Sequence, residues 1–252
     1  MPAVTLRVFR GDAAAGGFRD YRVETEPGMV VLDVVHRLQA TQATDLAVRW
    51  NCKAGKCGSC SAEINGVPRL LCMTRMNLFA DGETITLAPL RAFPLIRDLV
   101  TDVSYNYEKA KQIAPLRLKP PEADGSYRMM QEDIDRIQEF HKCIECFLCQ
   151  DVCHVIRDHD TKPVFAGPRF FIKLASLEMH PLDTRDRIDA IRREAGLGLC
   201  NITKCCTEVC PEHIHITDNG IIPLKERVVD EFFDPVTWLL RKLRGAPKAP
   251  AS

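Results

Sequence analysis

Between Cys143 and Cys153 the chain reads C-I-E-C-F-L-C-Q-D-V-C, a Cys-x2-Cys-x2-Cys-x3-Cys run. Three cysteines at x2 intervals wrap one side of a cuboidal iron–sulfur cluster, each thiolate on a different iron, and the fourth points away to serve a second cluster. Such a run demands further cysteines elsewhere. Cys200, Cys205, Cys206 and Cys210 supply them, with Pro211 directly after the last. Cys52, Cys57, Cys60 and Cys72 form a third set, so all twelve cysteines are grouped.

The first set, Cys52-x4-Cys57-x2-Cys60 followed by Cys72, has the plant-type [2Fe–2S] spacing. A tight loop must circle such a cluster so that backbone N–H groups point at its sulfurs. Gly55 and Gly58 permit the positive φ angles this needs. Lys53 and Lys56 read as solvated loop charges, with help in stabilising the reduced state as the competing reading. A zinc site is the competing reading, but it favours two separated Cys-x2-4-Cys hairpins.

Lys plus Arg and Asp plus Glu are both 34, a balance unlike the basic face of a nucleic-acid protein. The beginning of the chain has neither an apolar signal core nor an Arg/Ser-rich amphipathic presequence. The expectation is a reducing compartment, where clustered cysteines are metal ligands rather than disulfides. No apolar run approaches the ~20 residues that span a bilayer. Membrane contact is therefore expected through a partner.

Alternating residues over 4–9 and 18–23 predict two strands joined at the glycine-rich tip 11–17. A helix is expected over 30–39, with Val31, Val34, Val35 and Leu38 on one face. Strands follow over 61–64, 67–71 and 83–87, with Asn65-Gly66 as a hairpin turn. The domain boundary is expected within Pro89–Pro94. Helices are predicted over 132–142, 169–179, 185–195, 224–233 and 236–243, and a disordered tail over 245–252. Met129-Met130 and Phe170-Phe171 read as core, and Arg192-Arg193 as a solvated helix face.

The Cys57-Gly-Ser-Cys60 loop, the Asn65-Gly66 turn, Leu70-Leu71-Cys72 and the segment Pro94–Val100 resemble the iron–sulfur subunit of succinate dehydrogenases and fumarate reductases, the respiratory complex II family, of bacterial type. The two later cysteine runs match that family in order and spacing, and the resemblance covers about residues 4–240. It implies an α+β chain: a β-grasp, plant-type ferredoxin domain over 1–94, then an all-α, bacterial-ferredoxin-like domain over 95–252. It further implies a [2Fe–2S] cluster on Cys52, Cys57, Cys60 and Cys72, a [4Fe–4S] cluster on Cys143, Cys146, Cys149 and Cys210, and a third cluster on Cys153, Cys200 and Cys206. In a full second run the position of Thr203 would be cysteine. Its absence leaves one cube corner without a thiolate and favours [3Fe–4S]. Cys205 reads as a buried small residue beside the site, with an alternative ligand as the competing reading. His213 and His215 read as structural or surface residues rather than ligands.

No Gly-x-Gly-x-x-Gly fingerprint and no nucleophile–base constellation is present, so the chain reads as a wire rather than a catalytic centre. The resemblance implies electrons passing singly from an FAD flavoprotein partner, which oxidises succinate, through the three clusters to a membrane-anchor subunit and quinone. The expected location is the cytoplasmic face of the bacterial inner membrane. Succinate oxidation is expected over fumarate reduction, and a soluble adapter for another flavoenzyme is the remaining alternative. In better-known members a proline follows the first run's last cysteine, and a nearby tryptophan faces the quinone. Here Cys153 is followed by His154-Val-Ile-Arg-Asp158, and Asn201 replaces the histidine often found after Cys200. The anchor is therefore expected to supply most of the quinone pocket, with Arg157 and Asp158 facing another subunit.

Overall fold

The computed structural model describes residues 3–159, 161–236 and 239. The expected helix over 236–243 lies mostly outside these residues, and the tail over 245–252 lies wholly outside them.

The first half is a mixed sheet gripping one helix. Strands β1 (Ala3–Gly11), β2 (Gly16–Glu24), β3 (Ser61–Ile64), β4 (Val67–Leu70) and β5 (Thr84–Ala88) lie in the order β2-β1-β5-β3-β4. β1 runs parallel to β5, and every other neighbouring pair is antiparallel. Alternate residues of β1, namely Val4, Leu6 and Val8, are buried with Ile85 and Leu87 of β5. Helix α1 (Val31–Thr41) buries Val31, Leu32, Val34, Val35 and Leu38. Its first turn is anchored where Val31 N donates to Thr74 O, Leu32 N to Leu71 O and Val30 N to Asp33 Oδ2. The chain then leaves α1 for the loop that carries Cys52, Cys57 and Cys60.

The second half opens with a short antiparallel ribbon, β6 (Leu95–Arg97) and β7 (Val100–Thr101), an element the helical expectation did not contain. Asp98, at its tip, has φ +51 and is buried. Its carboxylate accepts from Arg10 Nε at 3.1 Å, Gly11 N at 2.7 Å and Ala47 N at 2.8 Å. The ribbon is thereby tied to the N-terminal sheet. Among the described residues eight α-helices follow: α2 (Ser104–Gln112), α3 (Gln131–Gln138), α4 (Leu148–Val152), α5 (His154–Arg157), α6 (Pro168–Glu178), α7 (Ile188–Arg193), α8 (Cys205–Glu208) and α9 (Ile222–Phe232). α6 is the central rod, with every residue from Pro168 to Leu177 except Lys173 buried. A π-helical turn at Ile216–Ile221 packs across it.

Helix α7 starts later than the sequence pattern suggests. Asp183 and Asp186 accept the N–H groups of Arg185 and Ile188, holding the preceding residues in turns. The helix also ends earlier than expected, at Arg193, and Gly196, at φ +66, opens the 3-10 turn that follows rather than capping it. Met129 and Met130 are not core: they are 40% and 66% exposed, in extended chain ahead of α3. Arg192 is only half solvated, since its guanidinium stacks over Phe232 and Phe233, whereas Arg193 is exposed and pairs with Asp189.

The two halves share one continuous apolar core. A polar contact crosses the seam as well: Ala92 N donates to Asp151 Oδ1. Burial, aided by Glu63 beside it, pushes the Asp151 carboxyl up to about 7. Asp98→Ala should be the most damaging single change at the seam. It leaves the Gly11 and Ala47 N–H groups without their acceptor and removes one of the two carboxylates on Arg10, which keeps Asp45 and Tyr21, at a cost of about 1–3 kcal/mol. Thermal unfolding followed by circular dichroism checks this, and an unchanged midpoint would contradict it.

Candidate functional site

Around the first cysteine set, Lys53, Gly55 and Gly58 all have positive φ, so the loop curls about a point. The N–H groups of Ala54 and Lys56 lie 3.4 and 3.3 Å from Cys52 Sγ, and Cys72 N lies 3.5 Å from Cys60 Sγ. Such donors stabilise charge on sulfur. At Cys57 burial pushes the thiol up, but hydrogen bonds involving Ser59 and Cys52 outweigh it and bring the thiol down to about 7. Burial dominates at Cys60, which rises to about 12. Gly58 has a second constraint beyond its φ: a Cβ there would fall 2.5 Å from the Cys146 Cα. Ser61 Oγ donates to Cys146 O at 2.9 Å, and Lys56 pairs with Glu212 at 2.8 Å. The first loop is thus pressed against both later cysteine runs.

Those two runs share one backbone. Cys143 closes a 3-10 turn (Glu139–Lys142), and Cys200 closes another (Leu197–Leu199). Both cysteines are extended. Glu145 and Phe147 then take left-handed φ of 56° and 60°; Ile202 and Lys204 take 60° and 63°. α4 begins after Phe147 and α8 after Lys204. In this register Thr203 stands where Cys146 stands, Cys206 where Cys149 stands, and Cys210 where Cys153 stands. A β-branched residue such as Ile202 in the left-handed region is rare and strained.

The folded runs exchange their ends. Cys210 joins Cys143, Cys146 and Cys149 around one cavity. Cys153 joins Cys200, Cys205, Cys206 and Thr203 around another. Burial pushes Cys146 up to about 12, Cys153 and Cys206 to about 11, and Cys149 well above the ordinary thiol range. Dry thiols grouped in this way do not ionise alone, and a cationic metal core is what offsets their charge. Among the described residues no three His, Cys, Asp or Glu side chains converge closely enough for a single metal ion. Cysteines arrayed around a cavity suit a multi-iron cluster instead.

The family described as a 2Fe-2S iron–sulfur cluster binding domain matches residues 5–108, and the 4Fe-4S dicluster domain matches residues 139–214. The fumarate reductase iron–sulfur subunit of Mycobacterium tuberculosis is 32% identical, over 80% of this chain and 82% of that one. Its counterpart from Wolinella succinogenes is 31% identical, over 90% and 97%. A chain in the solved Mycobacterium smegmatis Sdh1 complex in the apo form is 64% identical, with a TM-score of 0.91, over 93% of this chain and 99% of that one. This chain belongs to the iron–sulfur subunits of the succinate dehydrogenase and fumarate reductase family. Its role in that oxidoreductase is electron transfer.

Several residues of this iron–sulfur subunit act at the sites without a signal in the cysteine spacing. Ser59 is one. Thr217 is another: it is buried, its hydroxyl lies 3.6 Å from Cys206 Sγ, and its bond lowers that thiol against the burial effect. Glu139 accepts from His215 N and from Asn219 Nδ2, fixing the chain that follows Cys210; His215 is therefore a structural brace on the surface. Asn201 Nδ2 lies 2.8 Å from His154 Nε2 at the third site. Arg157 and Asp158 pair with each other at the surface.

Arg169 is the most consequential. It sits in the first turn of α6, pairs with Glu145 and lines the cavity of Cys143, Cys146, Cys149 and Cys210. Its Nε is buried and has no hydrogen-bond partner within the protein. A buried cationic donor without a partner, on a residue that lines a cavity of four thiols, fits an anionic cluster there. A fixed positive charge favours the reduced, more negative state of such a cluster. Arg169→Gln should therefore lower that cluster's midpoint potential, and Arg169→Lys should retain most of it. An EPR-monitored redox titration reads this directly, and equal potentials in all three proteins would remove Arg169 from that role.

Proposed function

We propose that this subunit carries electrons one at a time from an FAD-containing flavoprotein that oxidises succinate, through [2Fe–2S], [4Fe–4S] and [3Fe–4S] clusters, to a membrane-anchor subunit and quinone. The clusters when bound supply three one-electron stations. The assignment places [2Fe–2S] on Cys52, Cys57, Cys60 and Cys72 in a domain over 1–94. It places [4Fe–4S] on Cys143, Cys146, Cys149 and Cys210, and [3Fe–4S] on Cys153, Cys200 and Cys206, in a domain over 95–252. The observation that carries it is the repeated backbone of the two runs, with Thr203 in the position of Cys146. One cavity has four thiols at the repeated ligand positions, and the other has three.

The protein's own residues hold and tune these stations. The Ala54, Lys56 and Cys72 N–H groups and Ser59 polarise the first set, Arg169 the second and Thr217 the third. Gly58 removes any side chain between the first loop and Cys146. Among the described residues no helix is long and apolar enough to cross a membrane, so the reading assigns attachment to the anchor, at the cytoplasmic face of the inner membrane. His154 is engaged with Asn201, and no tryptophan lies between Cys153 and Asp158, so the anchor supplies most of the quinone pocket. The succinate-oxidising direction is supported by the 64% identity to the Sdh1 chain against 32% for a fumarate reductase subunit. Those fumarate reductase relatives keep the reverse direction as the second reading.

Iron and sulfide analysis of the purified complex should give about nine irons per copy of this chain, the sum of the three cluster types. Seven or fewer in a fully loaded preparation would overturn the assignment. Substituting Arg157 or Asp158 should disturb assembly with the anchor more than quinone affinity. Comparing the yield of intact complex with the quinone KM checks this; normal assembly with a raised KM would contradict it.

A further inference from the structure

The repeat that places Thr203 opposite Cys146 also places Cys205 opposite Leu148. These partners behave differently. Leu148 is 1% exposed and buried in the core, away from the cavity of its own run. Cys205 is only partly buried and lines the cavity of Cys153, Cys200 and Cys206. Its Sγ lies 3.3 Å from Thr203 Oγ1, beside the corner whose ligand position holds a hydroxyl instead of a thiol. Asn201, Ile202, Thr203 and Lys204 are all exposed, so this corner opens towards the surface of the chain. The site therefore has four thiols, three at repeated ligand positions and a fourth two residues along the chain from Thr203, in contact with it at the same corner.

We propose that Cys205 is a facultative fourth ligand, which lets the third site take up a ferrous ion and pass from a three-iron to a four-iron cluster. The inference rests on the [3Fe–4S] reading above. In the step, the three-iron cluster is first reduced by one electron, delivered by the flavoprotein or by dithionite. A ferrous ion then enters the open corner and bonds to the three sulfides there. Cys205 Sγ forms the fourth bond to that iron and releases its thiol proton to solvent. No further electron is needed, and the reverse step returns ferrous ion and the free thiol. A soft thiolate is the ligand that iron–sulfur chemistry favours at such a corner. Because cluster type sets the potential, occupancy of this corner regulates the last station of the wire.

The test uses the intact purified complex, wild type and Cys205→Ala, both assayed for iron and for the three-iron EPR signal as isolated. Each is reduced anaerobically with dithionite, incubated with isotopically enriched ferrous ion, desalted and reoxidised without oxygen. EPR and Mössbauer spectra are then recorded, and Cys205 alkylation is measured by mass spectrometry before and after iron loading. In the wild type the larger part of the three-iron signal should be lost, the added iron should appear in a four-iron cluster, and Cys205 should become protected from alkylation. Cys205→Ala should keep its three-iron signal throughout. Retention of the signal in the wild type, or equal iron uptake by both proteins, overturns the role of Cys205. A third cluster with four irons as isolated in both proteins overturns the underlying [3Fe–4S] reading instead.

Discussion

Burial and ionisation oppose each other at most of the grouped cysteines. The fold draws Cys60, Cys146, Cys149, Cys153 and Cys206 into dry surroundings where the thiol form is strongly favoured. Ligation requires the thiolate. Much of the remaining structure eases that conflict. Backbone donors face Cys52 and Cys60, hydroxyls face Cys57 and Cys206, and the Arg169 guanidinium faces the second cavity. Metal binding and the final packing of this chain are therefore one thermodynamic event.

Those donors would be misdirected without the left-handed residues between the cysteines. Six non-glycine positions in the three cysteine regions take positive φ: Lys53, Glu145, Phe147, Ile202, Lys204 and His213. Each costs backbone energy of order 1–3 kcal/mol where strain is full. Glu145 recovers part of this through its pairing with Arg169, and Phe147 through edge contacts with Phe93 and Tyr107. Ile202 is 37% exposed and lines a surface cleft with Ile222 and Val229.

The strands were legible in the sequence because β1 and β5 alternate cleanly between buried and outward positions. α1 was legible because its apolar face repeats at helical spacing. The cysteine grouping was legible because ligand spacing is a nearly context-free signal. What escaped was anything set by three-dimensional convergence. Arg169 precedes two phenylalanines and looks like any helix-start cation; only the fold brings it to the cavity that Cys146 lines. Asp98 belongs to a short ribbon whose significance lies in Arg10 and Ala47, far away in sequence. Met129 and Met130 mislead because hydrophobicity without a facing element does not produce burial. The late start of α7 was hidden because two aspartates compete locally for its first N–H groups.

The contact between Gly58 and Cys146 has a mechanical meaning. Backbone meets backbone there, with Ser61 bonded across the joint and Lys56 clamped to Glu212 beside it. A joint of this kind has no side chain that can rotate to absorb displacement. The joint therefore holds the first cysteine loop and the Cys143–Cys149 run in one register. Electron transfer across this joint then needs no hinge to close first.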